Sequence, residues 1–276
     1  MLLSSDYHIH TYYSPCGHRV DESARPVAAP ERHVQRAHEL GLSEIAFTDH
    51  FVEDPTAPGT VLFYKGSGPA IIEDLKRELS RGPQFDDLDV YIGCETETLS
   101  TEWVGIGPER ARQLDFVMAP TTHYHLPGVP QPNSWAPADV ADHMLTMLES
   151  VGHKPWIDAI AHPFAEKEAL IGDLRAIYEA MEASRLTDIL GLLSRNAIAL
   201  EVNGSSVASE NLPHYGAVYA EIVALAKSLG VRFTFGSDAH DYCTLGLSSA
   251  AEAWILTAGL ETADFLTMAD LGARRA

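Results

Sequence analysis

The chain has 276 residues, 46% of them hydrophobic, and a formal net charge of −20 with an isoelectric point near 4.9. That length permits one large domain with a full core, or at most two small ones, and an α/β barrel of about 250 residues would use nearly all of it. The acidic balance repels phosphate backbones and anionic membrane surfaces at long range. It therefore disfavours a nucleic-acid or membrane partner and leaves any anionic substrate to be attracted locally, most strongly by bound cations.

The first apolar run, residues 6–10, reads as a strand, and the pattern of residues 30–40 reads as a helix closed by Gly41. Residues 44–50 form the second predicted strand and 69–81 a helix before Gly82 and Pro83. Strands follow at 88–95, 115–123, 157–162, 197–203 and 231–238. Helical patterns at 137–151, 166–193 and 215–229 separate the later ones. Tyr7, Ile9, Ile45, Ala46, Phe47, Val231, Phe233 and Phe235 supply β-branched, aromatic or small side chains suited to strands. Strand and helix alternate throughout, which calls for a parallel sheet with right-handed crossovers. Seven such units without a linker favour closure into an α/β barrel, read as a single domain over residues 1–276. Residues 51–68 and 124–137 are rich in Pro and Gly and carry Tyr64, Tyr124 and Trp135. They follow strands that end in histidine, so they serve either as walls over the active face or as plain surface connections.

Cys16, Cys94 and Cys243 are too few for a disulfide framework and have no paired spacing, which fits a reducing compartment. The first ten residues lack the basic start and long apolar core of a signal peptide. No run approaches the roughly 18 apolar residues of a membrane span. The expected location is cytoplasmic.

Six of the seven predicted strands end in a residue able to hold a metal: His8 and His10, His50, Glu95, His123, His162, and Asp238 with His240. Positions i and i+2 of a strand point to the same side, so His8 and His10 can share one pocket with Asp6 behind them. In barrels of parallel strands, chemistry collects at the C-terminal rim, where strand ends and the loops after them converge. One such histidine alone is weak evidence, whereas this joint placement is not. The other helix and loop histidines, His33, His38, His143, His153 and His214, fall away from that rim and read as surface or helix-end residues.

The segments HIHT (His8 to Thr11), FTDH (Phe47 to His50), GCE (Gly93 to Glu95), TTH (Thr121 to His123), AHP (Ala161 to Pro163) and GSDAH (Gly236 to His240) together resemble the PHP (polymerase and histidinol phosphatase) family, in order and approximate separation from Asp6 to about Cys243. The resemblance implies a distorted seven-stranded (β/α) barrel of TIM-like form, a cluster of two or three divalent metals, and phosphoester hydrolysis. It assigns His8, His10, Glu95 and Asp238 to one metal and His123 and His162 to a second, with Glu95 bridging. His50 and His240 go to a third. Cys16 stands where many members carry another ligand of that third metal, commonly His or Asp. A thiolate binds zinc, His18 offers a substitute two residues on, and an empty third site would leave a two-metal enzyme.

Imidazole with carboxylate suits zinc, iron or manganese better than calcium. A carboxylate can hold two cations about 3.5 to 4 Å apart, so that a shared water loses its proton near neutral pH and attacks phosphorus as hydroxide. The cations also stabilise the phosphoryl oxygens and the departing alkoxide. Asp238 and His240 are the candidates to combine proton transfer with metal binding, with His125 as a third from the loop after its strand. Arg19, Lys65 and Lys167 follow the first, second and fifth strands and are the candidate phosphate anchors, whereas Arg195 precedes the sixth strand and belongs at the opposite end. No GxSxG elbow, P-loop or CxxC pair offers a competing mechanism. The expected substrate is a small phosphorylated metabolite such as histidinol phosphate, a nucleoside monophosphate or a sugar phosphate. The alternatives are a metal-dependent amidohydrolase, for which no strand-end lysine is available, and a PHP-like binding module without turnover.

Overall fold

The computed structural model describes residues 2–16, 25–56 and 62–275. Its first half runs β1 (Ser5–Ile9), α1 (Pro30–Leu40), β2 (Glu44–Phe47), β3 (His50–Phe51), α2 (Ala70–Leu79), β4 (Asp89–Thr96), α3 (Pro108–Ala111) and β5 (Phe116–Pro120). There follow α4 (Pro137–Gly152), β6 (Ala159–Ala161), α5 (Glu168–Ile171), α6 (Leu174–Ala180), α7 (Ala183–Arg195), β7 (Ala199–Asn203), α8 (Gly204–Val207), α9 (Tyr215–Ser228), β8 (Phe233–Gly236), α10 (Ser249–Thr257) and α11 (Met268–Arg275).

All ladders are parallel and run in the order β1, β2, β4, β5, β6, β7, β8, with β3 continuing β2 along β4. The expected second strand is thus split at Thr48 and Asp49, whose carbonyls both accept from the Glu95 N–H. The sheet closes only at its rim: Asp238 N–H donates to the His8 carbonyl and His10 N–H to the Ala239 carbonyl, each at 2.9 Å. Seven strand positions wrapped by helices and joined this way form a distorted α/β TIM-like barrel.

Side chains divide cleanly across the barrel wall. Inside, Tyr7, Ala46, Phe116, Met118, Ala159, Ala161 and Ala199 pack into a floor, closed from below by Leu266, Met268 and Leu271. Four alanines in that set leave room for the bulky Tyr7, Phe116 and Met118, which fill the lower barrel. Outside, Leu200 and Val202 of β7 face the helical layer with Ile189, Leu190 and Ile222. Each fully buried aliphatic or aromatic side chain contributes about 1.5 to 3 kcal/mol, so the two layers fix the strand tips that carry the polar groups.

The predicted helix over 166–193 is three helices in the structure. Gly172 adopts φ +85°, a left-handed conformation that ends α5, and Asp173 then caps α6 by accepting from the Arg175 N–H at 2.8 Å. A second break falls at Met181 and Glu182, both extended. Among the described residues, no helix is long and apolar enough to cross a membrane.

Candidate metal centre

Every strand that ends in a candidate ligand delivers it to one cavity of about 430 Å³, lined by His10, Cys16, His50, Glu95, His123, His162, Asp238 and His240. His8 completes the group from beneath, fully buried. The backbone is bent to achieve this. His162 sits at φ +27° and Asp238 at φ +58°, conformations that cost a non-glycine residue about 1 to 3 kcal/mol and that collect at functional sites. Both are held by tertiary bonds: His162 N–H donates to the Glu201 carboxylate and Asp238 N–H to the His8 carbonyl.

Glu95 is the centre of the arrangement. Its Oε1 lies 2.9 Å from His162 Nε2 and 3.6 Å from His123 Nε2. Its Oε2 lies 3.0 Å from His50 Nδ1, 3.4 Å from His10 Nε2 and 3.5 Å from His8 Nε2. Asp238 Oδ1 stands 3.6 Å and 3.4 Å from the same nitrogens of His8 and His10. Tetrahedral coordination with bonds of about 2.1 Å would separate ligand atoms by about 3.4 Å.

The hydrogen bonds behind the ring nitrogens sharpen the fit. His8 Nδ1 pairs with Glu201 at 2.7 Å and His123 Nδ1 with Glu97 at 2.8 Å. A neutral imidazole that donates through Nδ1 carries a bare lone pair on Nε2. Yet His8 Nε2 and His10 Nε2 approach to 3.0 Å, and His123 Nε2 and His162 Nε2 to 3.2 Å. Nitrogens so placed require a proton or a cation between them. The donor set, all imidazole and carboxylate with one thiol nearby, could hold a metal ion, and such donors suit a transition metal.

The local charges act in opposing directions. Burial works to lower His8, but Glu201, Asp238 and Glu95 outweigh it and hold the imidazole well above its usual range. His123 is pushed up to about 9, burial being outweighed by Glu97 and then Glu95 and Glu166. His10 falls to about 4 through burial and the neighbouring His240. Burial would raise Glu95, but His50, His8 and His162 hold it well below the usual carboxylate range. Burial, with Glu95, Asp238 and Asp49 nearby, pushes the Cys16 thiol up.

Cys16 Sγ, His10 and His240 have donor atoms within 4.8 Å of one another. His50, expected beside His240, has its Nδ1 on Glu95 and 3.2 Å from the Tyr64 hydroxyl, with its ring 4.7 Å from that of His10. Ser14 links this corner, lying 3.4 Å from His10 Nδ1, accepting from Cys16 Sγ at 3.3 Å and from the His50 N–H at 3.1 Å. Of the expected anchors, Lys167 lines the cavity and Lys65 is exposed outside its lining, while Arg19, like His18, lies outside the described residues. Phe63, His125 and Leu126, from the two Pro- and Gly-rich segments, form part of the cavity wall.

One expectation about the histidines is overturned. His33 is not a surface or helix-end residue; it is fully buried against Phe47. Pro30, His33, Val34 and Ala37 are the buried stripe of α1, so its helical spacing already placed it inward. Sequence reasoning also missed the carboxylates behind the donors. Glu201 holds His8 and the His162 backbone, Glu97 holds His123 and Tyr64, and Asp49 accepts from the Thr11 N–H at 2.7 Å. The available signal for Glu201 was a lone charge inside the apolar run Ile198 to Val202.

No family model matches the chain. A protein of Caldicellulosiruptor bescii named a probable phosphatase is 25% identical over 247 residues, 89% of this chain and 83% of that protein. One of Vibrio atlanticus, also named a probable phosphatase, is 24% identical over 272 residues, 97% of this chain and 90% of that protein. Among solved structures, histidinol phosphate phosphatase from Lactococcus lactis, complexed with zinc, L-histidinol and phosphate, superposes with a TM-score of 0.56 at 20% identity, covering 95% of each chain. That last likeness is one of fold.

Proposed function

We propose that the chain is a metal-dependent phosphatase of PHP type, a single domain acting on a small phosphorylated metabolite. The observation that carries this reading is the division of Glu95 between two histidine sets, Oε1 toward His123 and His162 and Oε2 toward His8 and His10. The two relatives named probable phosphatase, which this chain matches along most of its length, support the same reading.

In this reading His8, His10, Glu95 and Asp238 would hold one transition ion, and His123 and His162 with Glu95 would hold a second. His50 and His240, with Cys16, would hold a third. Zinc, manganese or iron bound here would acidify water and neutralise phosphoryl oxygens. The rest falls to the chain. Lys167 lines the cavity and is the candidate cation for the phosphate. Asp238 turns Oδ1 to the histidines and Oδ2 toward Asn203 Nδ2 at 3.4 Å. Burial alone would raise this carboxyl, but His8, His10 and His240 keep it well below its usual range, so it is held ionised, the form in which it would ligate an ion. His240 donates its Nδ1–H to the Asp238 carbonyl at 2.9 Å, leaving Nε2 for an ion or for a proton destined for the leaving oxygen.

The test is phosphate release from histidinol phosphate, a nucleoside monophosphate and a sugar phosphate, using protein stripped with chelator and then reloaded with zinc, manganese or iron. Release that is lost on stripping and regained on loading is the expected result. Absence of release under every metal would favour a binding module.

A further inference from the structure

A second group of metal-type donors lies outside the strand-tip centre. Glu168 opens α5, Asp173 stands between α5 and α6, and His214 directly precedes α9. His214 Nδ1 lies 2.8 Å from Glu168 Oε2 and 3.5 Å from Asp173 Oδ1, and one donor atom from each residue lies within 4.8 Å of the other two. The first two distances bracket the roughly 3.4 Å that separates donors around a tetrahedral zinc ion. Backbone groups hold both carboxylates: Glu168 Oε1 accepts from the His214 N–H at 3.0 Å, and Asp173 Oδ1 from the Arg175 N–H at 2.8 Å. Arg175, whose charge also reaches His214, is engaged by Glu221 at 2.8 Å.

One imidazole and two carboxylates offset the charge of a divalent ion and suit zinc or a similar transition metal. All three residues are at least partly exposed, so water can fill the remaining coordination positions. We propose that Glu168, Asp173 and His214 bind one divalent transition-metal ion of their own, which clamps the turn around α5 to the segment leading into α9. The imidazole must offer a bare Nδ1 to the ion, so the proton on that nitrogen leaves to solvent as the ion binds.

Both clamped segments wall the 430 Å³ cavity: Glu166 and Lys167 line it just before α5, and Ser209, Asn211 and Leu212 line it just before His214. An ion shared by Glu168 and His214 therefore ties two walls of the cavity to each other. The inference does not depend on what the cavity binds.

The experiment titrates stripped wild-type protein and His214→Ala with zinc by calorimetry and follows hydrogen exchange over residues 205–214 with and without zinc. His214→Ala should bind one zinc ion fewer per chain while its circular dichroism is unchanged, since the side chain it removes is exposed. Asp173→Asn keeps an oxygen for the α6 cap but loses the charge, and should weaken the same ion. Zinc should slow exchange over residues 205–214 more in the wild type than in His214→Ala. The difference between the two proteins reads this site alone, whatever number of ions the strand tips hold. Equal zinc binding by both proteins, or a difference that appears only above about 1 mM zinc, overturns the inference and leaves an imidazolium paired with two carboxylates. Equal zinc-dependent protection in both overturns the clamp.

Discussion

Removing the Glu201 carboxylate should weaken metal binding without touching a metal ligand. Glu201 is fully buried on β7, accepts from His8 Nδ1 at 2.7 Å and from the His162 N–H, and receives Asn203 Nδ2 at 3.3 Å. It thereby ties together one residue from each of the two histidine sets around Glu95. In Glu201→Ala, the His8 Nδ1–H and His162 N–H lose their acceptor in a dry interior, at about 1 to 3 kcal/mol each. The His8 ring is also freed to turn, and His162 loses the bond that holds its left-handed backbone. Loss of a carboxylate behind a metal-bound histidine typically costs about 10- to 100-fold in metal affinity. The assay is calorimetric titration of stripped protein with zinc against a competing chelator, alongside urea unfolding of the metal-free protein. Glu201→Gln keeps one acceptor but turns an NH₂ toward a donor, so it should fall between wild type and Ala. If Glu201→Ala unfolded more easily yet bound zinc within about twofold of wild type, the positioning role would be refuted and only a packing role would remain.

Three further outcomes are expected. His33 is lowered from 6.5 to about 4 by burial, so it resists protonation in the folded state only; its stability contribution is present above pH 6.5 and is lost as pH falls toward about 4. In metal-free protein, His33→Leu should therefore shrink the acid-induced loss of unfolding free energy by about 3 kcal/mol, measured by urea titration at both ends of that window; an equal loss in both proteins would contradict the burial argument. Gly236→Ala would place a methyl 2.2 Å from Glu201 Oε1 and 2.3 Å from His8 Cβ, so it should depress zinc affinity as strongly as Glu201→Ala does, and an unaffected titration would show that the pair can move aside. His123→Ala should abolish phosphate release while circular dichroism and cooperative unfolding persist; retained activity would remove His123 from the ligand set.

How far these features were legible from the sequence depends on the distance over which each is specified. Helix α1 was readable to its ends because Pro30 opens it and Gly41, at φ +70°, closes it, both local signals. The strand tips were readable because ligand residues at the ends of apolar runs need only the parallel-barrel rule to converge. The bends that refine the site were not. The split after Phe47 and the register shift between Asp6 and Ile9 arise from pairing with distant strands. Gly172 was visible inside the predicted long helix, and its left-handed turn together with the Asp173 cap outweighed the helical pattern around it. Glu97 and Glu201 escaped because their roles exist only through partners 26 and 193 residues away, His123 and His8. No local pattern encodes such a pairing.

The central claim is a polymetal site organised by Glu95, and elemental analysis of the purified protein by mass spectrometry tests it most directly. The account predicts at least two transition-metal ions per chain, falling by at least one in Glu95→Gln as the bridge between His8/His10 and His123/His162 is lost. Fewer than two ions in the wild type after reconstitution with zinc, manganese or iron, or the same content in the variant, would contradict it.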